Sequence, residues 1–291
     1  MKLHRVERVD AACALGESPV WSVREQALYW VDLRAPSLHR FDPGTGAHLE
    51  WTMPALIGGV VIAARGGLLV ALQSGIHRFE AASGALERVV APEPESSGNR
   101  MNDTKSDRRG RLWTTTMRDL GAVPSGALYR VDADLRIARL AENLRVPNSL
   151  AWSPDDSILY FADTSDGRLR AYDFDRDAGE IGAWRVLTED GALPGRPDGA
   201  TVDADGCVWS ARYGGSAVVR VTPAGRIDRI LRVPASQVTA CAFGDADLRT
   251  LYITTARQRL SEDALALQPE AGALFAVRLV VSGLPEPACL L

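Results

Sequence analysis

Glu17, Asn102, Asn148 and Asp198 are oxygen-bearing side chains separated by 85, 46 and 50 residues, and each stands at the head of a short β-rich run. Two carboxylates and two carboxamides gathered at one place would repel or go unpaired at a cost of several kcal/mol. A cation removes both penalties. Carboxylate and amide oxygens without thiolate or imidazole favour Ca²⁺, Mg²⁺ or Mn²⁺ over Zn²⁺. Singly, each residue would serve as well to cap a turn, since Asn and Asp bond readily to turn backbone. Their shared position in a repeat is what marks a site.

Other chemistries find less support in the 291 residues. His4, His39, His48 and His77 all fall in the first third with no ligand spacing. Cys13, Cys207, Cys241 and Cys289 lie far apart without a C-x-x-C pair, so reduced, structural cysteines are expected. No G-x-S-x-G elbow is present, and Gly214-Gly215-Ser216 only leads into a strand. A formal net charge of −4 with no long run of one sign argues against nucleic acid or anionic lipid as partners. The N-terminus alternates charged and apolar residues, and the most apolar stretch, Met53 to Ala64, ends at Arg65, too short to span a bilayer. A cytoplasmic protein is the expectation.

The elements that position the four residues repeat along the chain. Each unit has a small or polar residue, a strand, a turn and an aromatic strand. The copies run from Glu17 to Trp30, Gly58 to Leu69, Asn102 to Trp113, Asn148 to Tyr160, Asp198 to Trp209 and Thr239 to Tyr252. Their first residues are 41, 44, 46, 50 and 41 apart, the spacing of four short strands per unit. A further strand follows each copy, as in Leu38-His39-Arg40-Phe41 and Ala127-Leu128-Tyr129-Arg130-Val131, and ends in a Gly- or Pro-rich turn. Glu262 to Leu267 reads as one helical turn in a loop. The pattern predicts an all-β fold, a six-bladed β-propeller of four-stranded antiparallel blades, as a single domain over residues 1–291. His4 to Val9 would supply the outer strand that closes the ring. In such a ring the first strand of each blade lines the central channel, so Glu17, Gly58, Asn102, Asn148, Asp198 and Thr239 would face one axis.

Four stretches in this register resemble the SMP-30/gluconolactonase/regucalcin-like family. They are Leu15-Gly16-Glu17-Ser18-Pro19-Val20-Trp21, Arg100-Met101-Asn102-Asp103 through Gly110-Arg111-Leu112-Trp113, Pro147-Asn148-Ser149-Leu150-Ala151-Trp152-Ser153, and Pro197-Asp198-Gly199 through Tyr213-Gly214-Gly215. The resemblance implies a divalent-metal-dependent hydrolase that opens sugar lactones. It places the metal ligands on Glu17, Asn148 and Asp198 and the substrate contacts on Arg100 and Asn102. Many members carry Gly and Cys where this chain has Thr104 and Ser106. Some place an acidic residue in the loop before Gly126, which here reads Gly121-Ala122-Val123-Pro124-Ser125. These departures bear on which lactone is taken.

The expected mechanism has one divalent ion polarising the lactone carbonyl while Asp198 takes the proton of the attacking water. Arg100 and Asn102 would bond the hydroxyls of a small-molecule sugar lactone. Asp103 is expected to cap a turn, and Trp152 and Tyr213 to pack. A non-enzymatic calcium- or metal-binding protein is the alternative that the same ligands permit, and a propeller used as an interaction platform ranks below it.

Overall fold

The structure, a computed structural model, describes residues 6–94, 97–120 and 123–291. Among these residues, twenty-four strands form six antiparallel sheets of four. Blade 1 comprises β2 (Gly16–Ser22), β3 (Ala27–Asp32), β4 (Ser37–Asp42) and β5 (Ala47–Thr52). Blade 2 comprises β6 (Ile57–Ile62) to β9 (Ala85–Val90), and blade 3 runs from β10 (Asn99–Ser106) and β11 (Leu112–Arg118) to β13 (Ile137–Leu144). Blade 4 runs from β14 (Pro147–Trp152) to β17 (Glu180–Thr188). Blade 5 opens with β18 (Arg196–Val202) and β19 (Val208–Tyr213) and ends at β21 (Ile227–Arg232). Blade 6 takes β22 (Val238–Gly244), β23 (Thr250–Thr255) and β24 (Ala273–Arg278) from the end of the chain and its fourth strand, β1 (Glu7–Ala12), from the start.

The closing strand is thus the expected N-terminal one, displaced toward the C-terminus. Glu7 pairs with Ala276 and Ala12 with Ala273, while His4 and Arg5 lie outside the described residues. The six first strands touch in a ring, β2 to β6 to β10 to β14 to β18 to β22 and back to β2. The predicted six-bladed propeller is the observed fold.

Burial follows from this stacking. Inner strands are covered on both faces by neighbouring blades, so β3 is buried at all six residues, whereas the outermost β5 is exposed or half-buried throughout. Aliphatic and aromatic clusters fill the spaces between consecutive blades. Val31, Ile57 and Phe79 sit between blades 1 and 2, Trp113 and Phe161 between 3 and 4, and Trp209, Phe243 and Phe275 between 5 and 6. Turns repeat one device in blades 3 and 5. Buried Asp107 and Asp203 accept from the indole N–H six residues on, Trp113 at 2.9 Å and Trp209 at 2.7 Å, and from the backbone of their own turns. All four cysteines are buried, and none of them forms a disulfide among the described residues. The one α-helix among the described residues, α1 (Glu262–Leu267), is capped by Ser261. No helix among them is long and apolar enough to cross a membrane.

Two glycines let the first strands close on the axis. A Cβ on Gly58 would stand 2.3 Å from the Met101 carbonyl oxygen, and one on Gly199 would stand 2.5 Å from the Ala240 Cβ. Only hydrogen fits at either place. Beyond β24 the chain crosses the far end of the channel. Gly283 bridges to Asp203, Cys289 bridges to Ala63, and the Leu291 carbonyl accepts from Arg78 at 2.9 Å. Lys105 reaches this segment from inside, 3.1 Å from the Ala200 carbonyl and 3.4 Å from Glu286. The space between this plug and the site, about 10 Å³ lined by Asp103, Lys105 and Cys241, has room for about one water molecule.

Candidate active site in the channel mouth

Every first strand loses its regular pairing at the channel-facing position. The ladder shifts between Glu17 and Val20, Ile57 and Gly59, Met101 and Thr104, Asn148 and Ala151, Pro197 and Ala200, and Val238 and Ala240. Such irregularities re-aim a side chain out of the pleat. The predicted register of Glu17, Gly58, Asn102, Asn148, Asp198 and Thr239 coincides with them. Ser18 and Ser149, just after Glu17 and Asn148, adopt left-handed φ of 52° and 65°.

Glu17, Asn102, Asn148 and Asp198 come together with Arg100 in a cleft of about 400 Å³, ordinary for a small ligand. Among the described residues no side chain donates a hydrogen bond to either carboxylate. Burial, then Asp198 and Asp103, push the Glu17 carboxyl well above its ordinary range; burial, then Asp103, do the same to Asp198. Arg100 opposes both shifts without cancelling them.

A chain of hydrogen bonds fixes the neutral members. Asn102 Nδ2 donates to Asn148 Oδ1 at 2.8 Å and to the Pro147 carbonyl at 2.9 Å, while its Oδ1 accepts from Arg100 Nη1 at 2.7 Å. Only one orientation of this amide satisfies two acceptors and a guanidinium. Asn148 Nδ2 donates to Thr164 Oγ1 at 2.8 Å, and Thr164 Oγ1 donates to the carbonyl of Pro197, which precedes Asp198, at 2.7 Å. Both amide protons of Asn102 are therefore spent on holding Asn148. One lone pair of its carbonyl oxygen is left without a partner among the described residues. Among the described residues only Nη2 of Arg100 lacks a partner, since Nε binds Asp119 at 2.8 Å and Nη1 binds Asn102 and the Met101 carbonyl.

Sequence reasoning missed Asp119 and Arg34. Asp119 stands two residues before the loop in which a carboxylate was sought, and it clamps Arg34 at 2.8 and 2.9 Å as well as Arg100. Together the two guanidinium groups hold its carboxyl at about 2 against the cost of burial. Arg34 is presented by a loop tied to buried Asp32, which accepts from the backbone N–H groups of Ala14, Leu15, Arg34 and Ala35. Asp163 organises the loop of Thr164 in the same way. The available signal is the Asp that ends the second strand in both blade 1 and blade 4, Asp32 after Tyr29-Trp30-Val31 and Asp163 after Tyr160-Phe161-Ala162.

Three further expectations meet the structure differently. The Asp103 carboxylate reaches beyond its own turn: it accepts from Leu150 N of the next blade at 2.8 Å as well as from the backbone of adjacent Thr104, and burial raises it. Tyr213 lines the cleft instead of packing in the core, its phenol pushed up by burial and then by the charge of Asp198. Trp152 packs as expected, edge-on to Trp113 and Phe174.

A family model described as the SMP-30/gluconolactonase/LRE-like region matches residues 15–257. The chain belongs to this family. It is 41% identical over 274 residues to a 6-deoxy-6-sulfogluconolactonase from Pseudomonas putida, covering 94% of each chain. It is 36% identical over 292 residues to the pentonolactonase XacC from Haloferax volcanii, covering 96% of this chain and 95% of that one. Among solved structures, the calcium-binding protein regucalcin from Agrobacterium tumefaciens superposes with a TM-score of 0.92 at 29% identity, covering 98% and 97% of the two chains.

Within this SMP-30-like propeller the donor set suits a hard cation. Two carboxylates without side-chain donors stand beside Asn148 Oδ1, which retains a lone pair after accepting from Asn102. Among the described residues no three His, Cys, Asp or Glu side chains cluster as a metal site. The third oxygen beside Glu17 and Asp198 is a carboxamide.

Proposed function

We propose that the chain, acting as one propeller domain, hydrolyses a sugar lactone to the hydroxy acid in a reaction that depends on one divalent cation held by Glu17, Asn148 and Asp198. The observation that carries this is the pair of buried carboxylates, Glu17 and Asp198, that line the cleft with no side-chain donor among the described residues to satisfy them. Relatives named as lactonases supply the reaction class. The cation, Ca²⁺, Mg²⁺ or Mn²⁺ before Zn²⁺, supplies positive charge that polarises the lactone carbonyl.

The chain's own groups do the rest. Asp198 takes a proton from water as its oxygen adds to the carbonyl carbon. It returns that proton to the ring oxygen as the C–O bond breaks, which gives one hydroxy acid per lactone and water. General-base help of this kind contributes about 10²–10⁴-fold. Arg100 offers Nη2 to a substrate hydroxyl or ring oxygen, and Asn102 holds Asn148 in place.

The test is hydrolysis of five- and six-carbon aldonolactones by protein stripped with chelator and then supplied with each cation. Activity that disappears on stripping and returns with metal supports the reading. Full activity without metal refutes the metal's role, and saturable metal binding with no turnover of any lactone replaces the enzyme with a metal-binding protein.

A further inference from the structure

The cleft is more cationic than the chain's net charge of −4 would suggest. Arg34, Arg100, Arg196 and Arg259 line it against Glu17 and Asp198. Arg34 and Arg100 share Asp119. Neither Arg196 nor Arg259 has a carboxylate partner among the described residues. A divalent cation on the floor would offset the two acidic groups there, and the rim would remain positive.

Both rim arginines stand on constrained backbone. Arg196 opens β18 directly after Gly195, whose φ is 62° and where a Cβ would meet Tyr213 O and Gly215 N at 2.5 Å. Arg212, buried and without an acidic partner in contact, donates through Nε and Nη2 to the carbonyls of Pro194 and Gly195 at 3.0 and 2.8 Å. The Arg196 side chain bonds through Nη1 to the carbonyls of Ser165 and of Thr164, the residue that accepts from Asn148, and leaves Nε and Nη2 without a partner among the described residues. Arg259 sits at φ 61° after Gln258, which is fixed by its N–H to the Ala14 carbonyl at 2.9 Å and by Arg34 Nε at 3.1 Å.

We propose that the site selects a sugar lactone carrying a permanent oxyanion at the end remote from the lactone carbonyl, read by Arg196 and Arg259 at the rim. The inference rests on the lactonase reading and specifies its substrate class. A neutral polyol gains only neutral hydrogen bonds from these arginines, whereas a sulfonate, phosphate or carboxylate gains charge-assisted, forked ones that are about twice as strong. The charge belongs at the remote end because the floor already presents Glu17 and Asp198.

The experiment compares kcat/KM for glucono-1,5-lactone with that of its 6-phosphate, its 6-sulfonate and a lactone bearing a 6-carboxylate, all with the same added metal. The charged lactones should be favoured by about tenfold or more, as one charge-assisted hydrogen bond provides. The preference should shrink as salt rises from about 0.05 to about 0.5 M, because screening weakens a partly exposed pair. Whichever anion leads identifies the group. Arg196→Gln and Arg259→Gln should each lower the ratio of charged to neutral kcat/KM by about tenfold, with Arg196→Lys retaining part of it. Equal values for neutral and charged lactones, or a ratio unmoved in both variants, would overturn the proposal. Calorimetry with glucitol and glucitol 6-phosphate separates the two layers of inference. Arginine-dependent binding of the phosphate without turnover of any lactone would leave the anion site standing and remove the lactonase. Lactone turnover without charge preference would do the reverse.

Discussion

Replacing Asp119 with Asn removes one negative charge from between two guanidinium groups while keeping the shape of the side chain. The carboxyl is lowered from 3.8 to about 2 by Arg34 and Arg100, which corresponds to about 2 kcal/mol of stability at neutral pH. Its side chain is 28% exposed, so solvent screening reduces this to about 1–2 kcal/mol. Asp119→Asn should therefore lower the melting temperature by about 2–8 °C at pH 7. The sign of the pH dependence follows from the depressed value. The contribution is fully present above 3.8 and is lost as pH falls through about 2, so the gap between the two proteins should be roughly halved near pH 3. Urea titrations at pH 7 and pH 3 read it directly. The same change frees Arg100, the group proposed to meet the substrate, and misplacement on this scale costs up to about 100-fold in kcat/KM. A variant as stable as wild type with unchanged kcat/KM would refute the claim that Asp119 sets the position of Arg100.

Asp198→Asn should cut lactone turnover by about 10²–10⁴-fold and abolish metal-induced thermal stabilisation. The metal-free variant should melt above metal-free wild type at pH 7. An ionised carboxylate whose folded pKa is raised weakens the fold as pH rises from its ordinary 3.8 through the raised value, and the amide carries no such charge; a lower melting temperature at every pH would contradict this electrostatic account. Asp203→Ala, remote from the cleft, should cost about 3 kcal/mol, because Trp209 Nε1, Arg220 Nε and two turn N–H groups lose their buried acceptor. Chemical denaturation measures that loss, and a loss below about 1 kcal/mol would show that the turn reorganises around water.

What the sequence could disclose was the part of the site that repeats. Glu17, Asn148 and Asp198 occupy equivalent places in three blades, so one template slid along the chain finds them, and the break in pairing at each place re-aims them toward the axis. The groups that hold them in place obey no such period. Asp119 and Arg34 are 85 residues apart, Arg100 and Asn102 are nearly adjacent, and Lys105 meets Glu286 across 181 residues. Arg100, Asn102 and Lys105 do stand on a first strand, but what each does is set by partners at no fixed interval, Asp119, Asn148 and Glu286. Asn102 illustrates the difference within a single residue. Its register position is legible, but its role depends on Pro147 and Asn148 of the next blade taking both of its amide protons. The C-terminal segment beyond Arg278 is aperiodic, with one Gly and two Pro among its residues, so nothing in its pattern reveals that it crosses the far end of the channel. A propeller thus repeats the residues proposed as ligands and individualises their supports. Substrate preference should follow aperiodic rim residues such as Arg196 and Arg259, not the register proposed to carry the cation.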